Sequence, residues 1–381
     1  MAQGTLAGAS GEMGRVDDEP TFGDGLPVGI GDFAVAAERV LPAEVWAYVD
    51  GGAGDEHTLR ASTQAWQKIQ LLPRVLVDVS RVDTSLRLLG SDLAHPILLA
   101  PTAAHAMYHS SAEVGALEGA AAAAALAVMS TLGTTPVAEL GAAATGPWWL
   151  QLYVQADRDF TLDLIQRSVG HGATAVVLTV DTPLLGARDR DRRSGGHTVD
   201  GMQPPNLAPV VDSPVTDLPL HERVYNVHLD PSLTWDTLDW LVERSPVPVL
   251  VKGVVRGDDA RLAVDHGAGG VIVSNHGARN LDTVVPTATA LAGVVAKVDR
   301  AVPVLVDGGI RRGTDIAKAL ALGADGVLVG RPVVWGLAIG GAAGVQRVID
   351  ILRAELVMAM ALLGAPTIAD LTPDLLRQPR F

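Results

Sequence analysis

One short segment, SNHGARNLD at 274–282, places His276 and Arg279 three residues apart. An imidazole can take up a proton near neutral pH, and a guanidinium can bind a carboxylate through two hydrogen bonds. A second segment, VDTPLLGARDR, supplies Asp181, a carboxylate that can stabilise an imidazolium, and Arg188, another cation for an anionic substrate. Together these residues indicate acid–base chemistry on a molecule that carries a negative charge.

Two glycine-rich segments later in the chain have the composition of a phosphate site. They are DGGIRRGTD at 307–315 and GRP at 330–332. Backbone N–H groups of consecutive glycines can approach phosphate oxygens closely, and Arg311 and Arg331 can add forked hydrogen bonds. The same glycines would also suit ordinary turns. A phosphate site, moreover, would not distinguish a phosphorylated substrate from a phosphorylated cofactor.

Lys252, in the segment LVKGV, follows an apolar run and therefore has the surroundings of a buried cation. Burying an unpaired ammonium group is costly. We therefore expect Lys252 to face an electron-rich atom of a ligand.

The elements that position these residues are short apolar runs that alternate with helix-like stretches. Continuous apolar strands between helices are typical of a parallel sheet covered on both faces. Eight such units in roughly 240 residues predict an α/β fold, a (β/α)8 TIM barrel, whose active site lies where the strands end. A doubly wound sheet is the alternative, but no dinucleotide-binding turn follows the first strand. The eight runs are PILLAP (96–101), AVMST (127–131), WWLQLYV (148–154), AVVLTVD (175–181), PVLVKGV (248–254), GVIVSN (270–275), PVLVDGG (303–309) and GVLVGR (326–331).

Other segments lie outside this repeat. Residues 1–28 show no apolar period and are predicted to form a disordered N-terminal extension, which leaves 29–381 as the barrel domain. Before the first barrel strand, the sequence predicts helices and then short strands that form a hairpin or plug. The long polar connection after the fourth strand predicts a mobile lid at 189–223, over the active-site face.

Composition excludes several classes of function. The chain carries 43 acidic and 29 basic residues, a net charge of −14, which argues against nucleic acid or an anionic membrane as a main partner. The absence of cysteine excludes disulfides, thiolate nucleophiles and cysteine-based metal sites. No secretory signal and no membrane span are expected, so a cytoplasmic enzyme is predicted.

The motifs together resemble the FMN-dependent 2-hydroxy acid oxidase/dehydrogenase family, which includes glycolate, lactate and mandelate oxidases and dehydrogenases. The resemblance runs from about residue 32 to about residue 370, and LPAEVWAYVDGGAGDEHTL, APTAAHAMYH and QLY also match it. It implies FMN across the barrel mouth and oxidation of an (S)-2-hydroxy acid to the 2-oxo acid. It also implies O2, a quinone or another carrier as electron acceptor, and a homo-oligomer, either a tetramer or an octamer.

The resemblance also assigns roles residue by residue. His276 would be the base and Asp181 its partner. Two arginines and two tyrosines would bind the substrate: Arg188 and Arg279 its carboxylate, Tyr48 and Tyr153 the carboxylate or the 2-hydroxyl. Fourteen positions would hold FMN: Pro101, Thr102 and Ala103 along the ring, Ser130, Gln151 and Thr179 at its pyrimidine edge, Lys252 near N1 and O2, Ser274 near the ribityl chain or ring, Asp307 on the ribityl hydroxyls, and Gly308, Gly309, Arg311, Gly330 and Arg331 around the phosphate.

The sequence departs from the family pattern at positions that bear on substrate size. Leu132 stands where relatives with small substrates often carry an aromatic residue, and Ala187 replaces a common second arginine. HSSAE (109–113) and SGGHTVDG after the RDRDRR run are also unusual. Because Leu132, Leu185, Met107 and the segment QPPNLAPVV offer apolar surface, we expect a substrate with a bulky apolar or aromatic C2 substituent, like mandelate, or a medium-length aliphatic one.

Two alternative functions are compatible with these residues. The first is flavin-dependent oxidation of a different α-substituted carbonyl compound or of a peptide-derived precursor. The second is a non-flavin barrel lyase or isomerase that acts on a phosphorylated substrate through the same anion site.

Overall fold

The computed structural model describes residues 27–195, 204–207 and 230–377. Its strands, in chain order, are β1 (Gln70–Leu71), β2 (Leu86–Leu88), β3 (Ser91–Leu93), β4 (Ile97–Leu99), β5 (Leu126–Ser130), β6 (Trp148–Leu152), β7 (Ala173–Thr179), β8 (Val249–Val254), β9 (Gly270–Val273), β10 (Val304–Val306), β11 (Gly326–Val329) and β12 (Leu376–Arg377). Its α-helices are α1 (Ile30–Val40), α2 (Ala43–Asp50), α3 (His57–Lys68), α4 (Ala112–Ala122), α5 (Val137–Ala143), α6 (Arg158–Gly170), α7 (Asp189–Arg193), α8 (Trp235–Arg244), α9 (Gly257–Asp265), α10 (Thr287–Val298), α11 (Gly313–Ala321) and α12 (Arg331–Leu363).

Strands β4 to β11 are parallel and close into an eight-stranded barrel, in which each strand pairs with the next along the chain. The barrel closes where β11 pairs with β4, with Val327 opposite Ile97 and Val329 opposite Leu99. The (β/α)8 prediction is therefore confirmed, and the doubly wound alternative is wrong.

The barrel strands are apolar on both faces because one face points into the barrel and the other packs against the surrounding helices. Side chains such as Val128, Leu250 and Leu328 fill the inside of the barrel, while the intervening residues pack outward against the helices. Strands β2 and β3 form the expected hairpin, and its Leu88 and Leu93 join the inner cluster. The hairpin therefore acts as the predicted plug of the barrel.

Helix α12 is long and apolar enough to cross a membrane by length and composition alone. Within this fold, 61% of its most apolar window is buried, and it packs against α1, α4 and α11. The helix is kinked at Gly340 and Gly341, where the backbone leaves the helical region. Its apolar character is therefore explained by the core that it joins.

Two predicted segments are described only in part. Residues 27–28 are the described part of the predicted N-terminal extension, and 189–195 with 204–207 are the described part of the predicted lid. The predictions of disorder and mobility for the other residues of these segments lie outside the described residues.

The charged run RDRDRR begins at Arg188, one residue before the predicted lid, and its other five residues form α7. Arg190 on this helix forms ion pairs with Asp50 at 2.8 Å and with Glu56 at 2.5 Å. These pairs tie α7 to the end of α2, the helix that carries Tyr48. The connection after β7 is thereby fixed at its start to the N-terminal helices.

Candidate active site

Most of the predicted site residues converge because they lie at or just after the carboxyl end of a barrel strand, and those ends meet at one rim. The positions come from every strand of the barrel: Pro101, Thr102 and Ala103 after β4, Ser130 on β5, Gln151 and Tyr153 at β6, Thr179 and Asp181 at β7, Lys252 on β8, Ser274 and His276 after β9, Asp307 after β10, and Gly330 after β11.

His276 and Asp181 form a hydrogen-bonded pair, with Nδ1 of the imidazole 2.8 Å from Oδ1 of the carboxylate. Burial lowers the pKa of His276 below its ordinary value, although the charge of Asp181 opposes this shift. Burial also raises the pKa of Asp181, but the neighbouring His276 and Lys252 outweigh it, so that pKa lies below the usual range. Near neutral pH the pair is therefore a neutral imidazole beside a carboxylate, which suits a base.

The other imidazole nitrogen of His276, Nε2, lies 3.5 Å from the Tyr153 hydroxyl. The backbone turns sharply here, because His276, Gly277 and Ala278 all have positive φ angles of 57°, 60° and 63°. Such a run is strained for residues with a Cβ, and strain of this kind concentrates at functional sites. The Asn275 side chain supports the turn by accepting a hydrogen bond from the Ala278 N–H at 3.2 Å.

Two residues that the sequence reasoning passed over hold the pair in place. The Thr182 hydroxyl donates to Asp181 Oδ1 at 3.0 Å, and the Asn280 amide donates to the Thr182 oxygen at 2.8 Å. Both residues lie inside the motifs that had been singled out, VDTP and SNHGARNLD. In the sequence, Thr182 follows Asp181 and Asn280 follows Arg279, and this adjacency could have marked both as site residues. Only the fold shows that Thr182 and Asn280 contact each other.

Gly253 is a further position that the sequence reasoning missed. Its φ is +112°, and a Cβ there would lie 2.5 Å from the Cβ of Asp181. Only glycine tolerates both this backbone conformation and this close approach. The glycine in LVKGV therefore makes room for the carboxylate of the neighbouring strand.

Arg279 and Arg188 both face the ring of Tyr48, at 4.8 and 5.6 Å from its centroid. Arg279 Nη1 donates to the Tyr48 carbonyl at 2.6 Å and to the Gly51 carbonyl at 3.0 Å. Burial and the nearby Arg188 lower the pKa of Arg279. The positive charges of these two guanidinium groups are not fully balanced by neighbouring negative charges. A substrate carboxylate can therefore bind to them.

A row of polar side chains crosses three neighbouring strands at the rim. Ser130 Oγ donates to Gln151 Oε1 at 3.0 Å, and Gln151 Nε2 donates to Thr179 Oγ1 at 3.0 Å. All three side chains are buried. This row brings together the three residues expected at the pyrimidine edge of a flavin.

Lys252 has an ion-pair partner within the protein, which the sequence reasoning did not identify, and its expected contact with a ligand atom stays a prediction. Its Nζ lies 3.1 Å from Asp307 Oδ2 and donates to Ser274 Oγ at 2.9 Å. Burial lowers the pKa of Lys252, but the charges of Asp307 and Asp181 outweigh this effect and raise it overall. The second oxygen of Asp307, Oδ1, is buried and has no hydrogen-bond partner in the described structure. A hydroxyl donor from a ligand would satisfy that oxygen.

Arg311 and Arg331 carry more positive charge into the fold than their surroundings balance. Burial lowers the pKa of Arg311 to about 10; burial together with repulsion from Arg279 and Arg311 lowers that of Arg331 to about 9. Arg331 donates to the carbonyls of Val49, Gly51 and Gly277, and Arg311 lies 4.9 Å from the centroid of the Trp335 ring. A bound dianion would relieve this excess of charge.

Gly308 and Gly309 complete this region with positive φ angles of 89° and 78°. A Cβ on Gly309 would lie 2.4 Å from the Ser62 carbonyl oxygen. Glycine at position 309 is therefore required by close packing against the backbone of α3, and its contact with a phosphate stays a prediction.

The loop after β4 is held by a buried network that the sequence reasoning did not identify. Thr102 Oγ1 lies 2.6 Å from His105 Nε2, and the backbone N–H of His105 donates to Glu113 Oε1 at 2.9 Å. Glu113 also accepts hydrogen bonds from Thr134 and Thr135 after β5. Glu113 therefore links the two loops that would flank one side of a flavin ring.

Comparison with known proteins supports the same chemistry. The family described as FMN-dependent dehydrogenase matches residues 37–378. The chain belongs to the FMN-dependent dehydrogenase family. It is 44% identical over 349 residues to a peroxisomal (S)-2-hydroxy-acid oxidase of Oryza sativa subsp. japonica, covering 92% of this chain and 95% of that protein. It is 42% identical over 357 residues to L-lactate oxidase of Nostoc sp., covering 92% of this chain and 98% of that protein.

Solved structures of FMN-dependent dehydrogenase family members share the fold. Mandelate oxidase matches with a TM-score of 0.83 and 37% identity, over 92% of this chain and 98% of that one. A soluble mutant of the membrane-associated (S)-mandelate dehydrogenase from Pseudomonas putida matches with a TM-score of 0.85 and 33% identity. This match covers 93% of this chain and 100% of that one. The protein is thus an FMN-dependent enzyme that oxidises 2-hydroxy acids, and the non-flavin lyase or isomerase alternative is wrong.

FMN, the cofactor of this family, fits the residues that the structure brings together. The unpartnered Oδ1 of Asp307 suits a ribityl hydroxyl, and the excess charge at Arg311 and Arg331 suits a phosphate dianion. Neither feature depends on the sequence comparisons, and together they fit a ligand that carries hydroxyl groups and a phosphate.

Proposed function

We propose that the enzyme prefers (S)-2-hydroxy acids whose C2 substituent is bulky and apolar, such as mandelate or a medium-length aliphatic acid. The observation that carries this proposal is the position of Leu132, which packs with Tyr153 and Leu207 in an apolar cluster. Tyr153 contacts Nε2 of His276, so this apolar surface borders the reacting groups. Leu185 is half exposed and adds apolar surface, whereas Met107 packs against the main core instead.

In this proposal, His276 is the base and Asp181 is its partner. The hydrogen bond from Nδ1 to Asp181 fixes the tautomer in which Nε2 is free to accept a proton from the substrate, either from C2 or from its hydroxyl. Once Nε2 holds that proton, the Asp181 carboxylate stabilises the imidazolium. Arg279 and Arg188 bind the carboxylate, and Tyr48 and Tyr153 orient the acid.

FMN, when bound, supplies the two-electron acceptor for the oxidation. Pro101, Thr102, Ala103, Ser130, Gln151 and Thr179 would line its ring system, and Lys252 and Ser274 would lie near the ring and the ribityl chain. Asp307 would bind the ribityl hydroxyls. The phosphate would lie among the remaining residues: Gly308, Gly309, Arg311, Gly330 and Arg331.

Several finer properties remain predictions from the sequence. The acceptor that reoxidises the enzyme is O2 or another oxidant such as a quinone or carrier. A cytoplasmic location and assembly as a tetramer or octamer are likewise predictions, and the relatives include peroxisomal plant enzymes and a bacterial one.

The experiment that tests the proposal compares kcat/KM for glycolate, 2-hydroxyoctanoate and (S)-mandelate on the purified holoenzyme. Burying apolar substituent surface contributes about 25 cal/mol per Å2, so a phenyl group should improve kcat/KM over glycolate by about two powers of ten. Glycolate as the best of the three would contradict the proposed preference. The same preparations, reduced anaerobically and then mixed with O2 or with a quinone, identify the acceptor.

A further inference from the structure

Leu207 reaches the active site from the long connection after β7. The structure describes residues 204–207 of this connection. Leu207 is buried and forms an apolar cluster with Tyr153 and Leu132. This cluster is separate from the main core and from the barrel interior. Leu207 therefore packs with the tyrosine whose hydroxyl faces His276.

The neighbouring Asn206 fixes the position of Leu207. Its side chain is 1% exposed. Oδ1 accepts a hydrogen bond from the Val137 N–H at 3.1 Å, and Nδ2 donates to the Thr135 carbonyl at 2.9 Å. Val137 is the first residue of α5, where backbone N–H groups have no partner within the helix. Asn206 thus caps α5 from a distant segment and uses both ends of its amide to do so.

We propose that Leu207, held in place by Asn206, forms with Leu132 the wall that contacts the C2 substituent of the substrate. This inference rests on the proposed function and adds a specificity-determining residue and a positioning residue to it. Leu132 is fixed on the other side, because its N–H donates to Ser130 Oγ at 3.1 Å and its carbonyl accepts from Ala104. Both leucines are therefore attached to elements that also position the predicted flavin residues.

A cavity on the other side of Tyr153 is a competing place for the substituent. It has a volume of about 200 Å3, and its lining includes Tyr153, Thr179, Thr182, Asp230 and Leu233. Its lining residues include Asp230, which is ion-paired with Arg158, and two threonines. Since an apolar group gains less beside such polar residues than against two leucines, the Leu132–Leu207 side is favoured.

The test measures kcat/KM for straight-chain (S)-2-hydroxy acids from glycolate to 2-hydroxyoctanoate in the holoenzyme and in Leu207→Ala. The matched control is Leu233→Ala, the same truncation on the cavity wall. For Leu207→Ala we expect a loss that grows with chain length, from less than about twofold for glycolate to about tenfold for the longest acid. Leu207→Met, which restores volume, should recover most of the loss.

The positioning role of Asn206 is tested with Asn206→Ala and Asn206→Asp. The alanine variant should reproduce the chain-length-dependent rise in KM while kcat for glycolate stays within about twofold. The aspartate variant keeps an acceptor for Val137 but sets a carboxylate oxygen against the Thr135 carbonyl, so it should give the same pattern. A melting temperature for each variant identifies losses that come from unfolding.

The wild-type series tests the proposed function, whereas the ratio of variant to wild type at each chain length tests this inference. A Leu207→Ala ratio that is the same for every acid would overturn the inference, even if the wild type prefers long acids. A chain-length-dependent loss in Leu233→Ala but not in Leu207→Ala would also overturn it, and would place the substituent in the cavity.

Discussion

The Nδ1 atom of His276 lies 2.8 Å from Oδ1 of Asp181, and the Nε2 atom of the same ring faces the Tyr153 hydroxyl. The two nitrogens therefore have separate functions: one holds the ring in place and the other is available to the substrate. Because this division depends on the contact of Nδ1 with Asp181, which follows β7, it gives direct predictions for both residues.

Replacing the base should abolish proton transfer without removing the cofactor. We expect His276→Ala to lower the rate of anaerobic flavin reduction by about 10²–10⁴-fold or more, because a positioned general base contributes that much. Stopped-flow absorbance measures the rate, and the flavin content of the purified variant measures FMN retention. His266→Ala, which alters a surface histidine paired with Asp239, is the control. Near-normal reduction in His276→Ala would rule out this assignment.

The pH dependence should show a base with a depressed pKa. Below that pKa the imidazole is protonated and cannot accept a proton, so kcat/KM should fall only as the pH drops beneath the ordinary histidine value of about 6.5. In Asp181→Asn the interaction that raises this pKa is lost. The acid limb should then move to still lower pH, while the plateau rate falls because the imidazolium is less stable. An acid limb that moves to higher pH would contradict this reasoning.

Arg279 should contribute more to substrate affinity than charge alone explains. Arg279→Lys keeps the charge but loses the planar fork that also donates to the Tyr48 and Gly51 carbonyls. We expect an unreactive carboxylate to bind about 10–100-fold more weakly, as measured by the perturbation of flavin absorbance. Arg244→Lys, a surface substitution, is the control. Unchanged binding would leave Arg188 as the main carboxylate ligand.

The phosphate assignment is tested by comparing FMN with riboflavin, which lacks the phosphate. Arg311→Met should weaken FMN binding to the apoprotein by about 10–100-fold and leave riboflavin binding nearly unchanged, because the lost hydrogen bonds go to a charged group. Arg312→Met is a matched control, since its side chain is 59% exposed and pairs with Glu355. Equal weakening of both ligands by Arg311→Met would mean that Arg311 acts through the fold.

Enlarging Leu132 should shift the substrate preference. Leu132→Trp adds bulk beside Tyr153, so the ratio of kcat/KM for (S)-mandelate to that for glycolate should fall by about tenfold or more. Leu262→Trp, on the surface of α9, is a control for the added ring. An unchanged ratio in Leu132→Trp would mean that this side chain does not border the substrate.

The sequence by itself determined the barrel and most of the residues at its mouth. Eight apolar runs between helices have few alternatives to a closed parallel sheet, and the carboxyl ends of its strands must meet at one rim. Residues such as His276, Asp181 and Lys252, which lie within three residues of the carboxyl end of a strand, could therefore be placed near one another without coordinates.

Tertiary structure alone decided which of these groups contact each other. Asp307 is an ion-pair partner of Lys252, and Gly253 makes room for Asp181. Asn206 caps α5 from about 70 residues further along the chain and brings Leu207 to Tyr153. Such contacts depend on backbone approach between segments that are distant in sequence, and a local pattern carries no information about that distance.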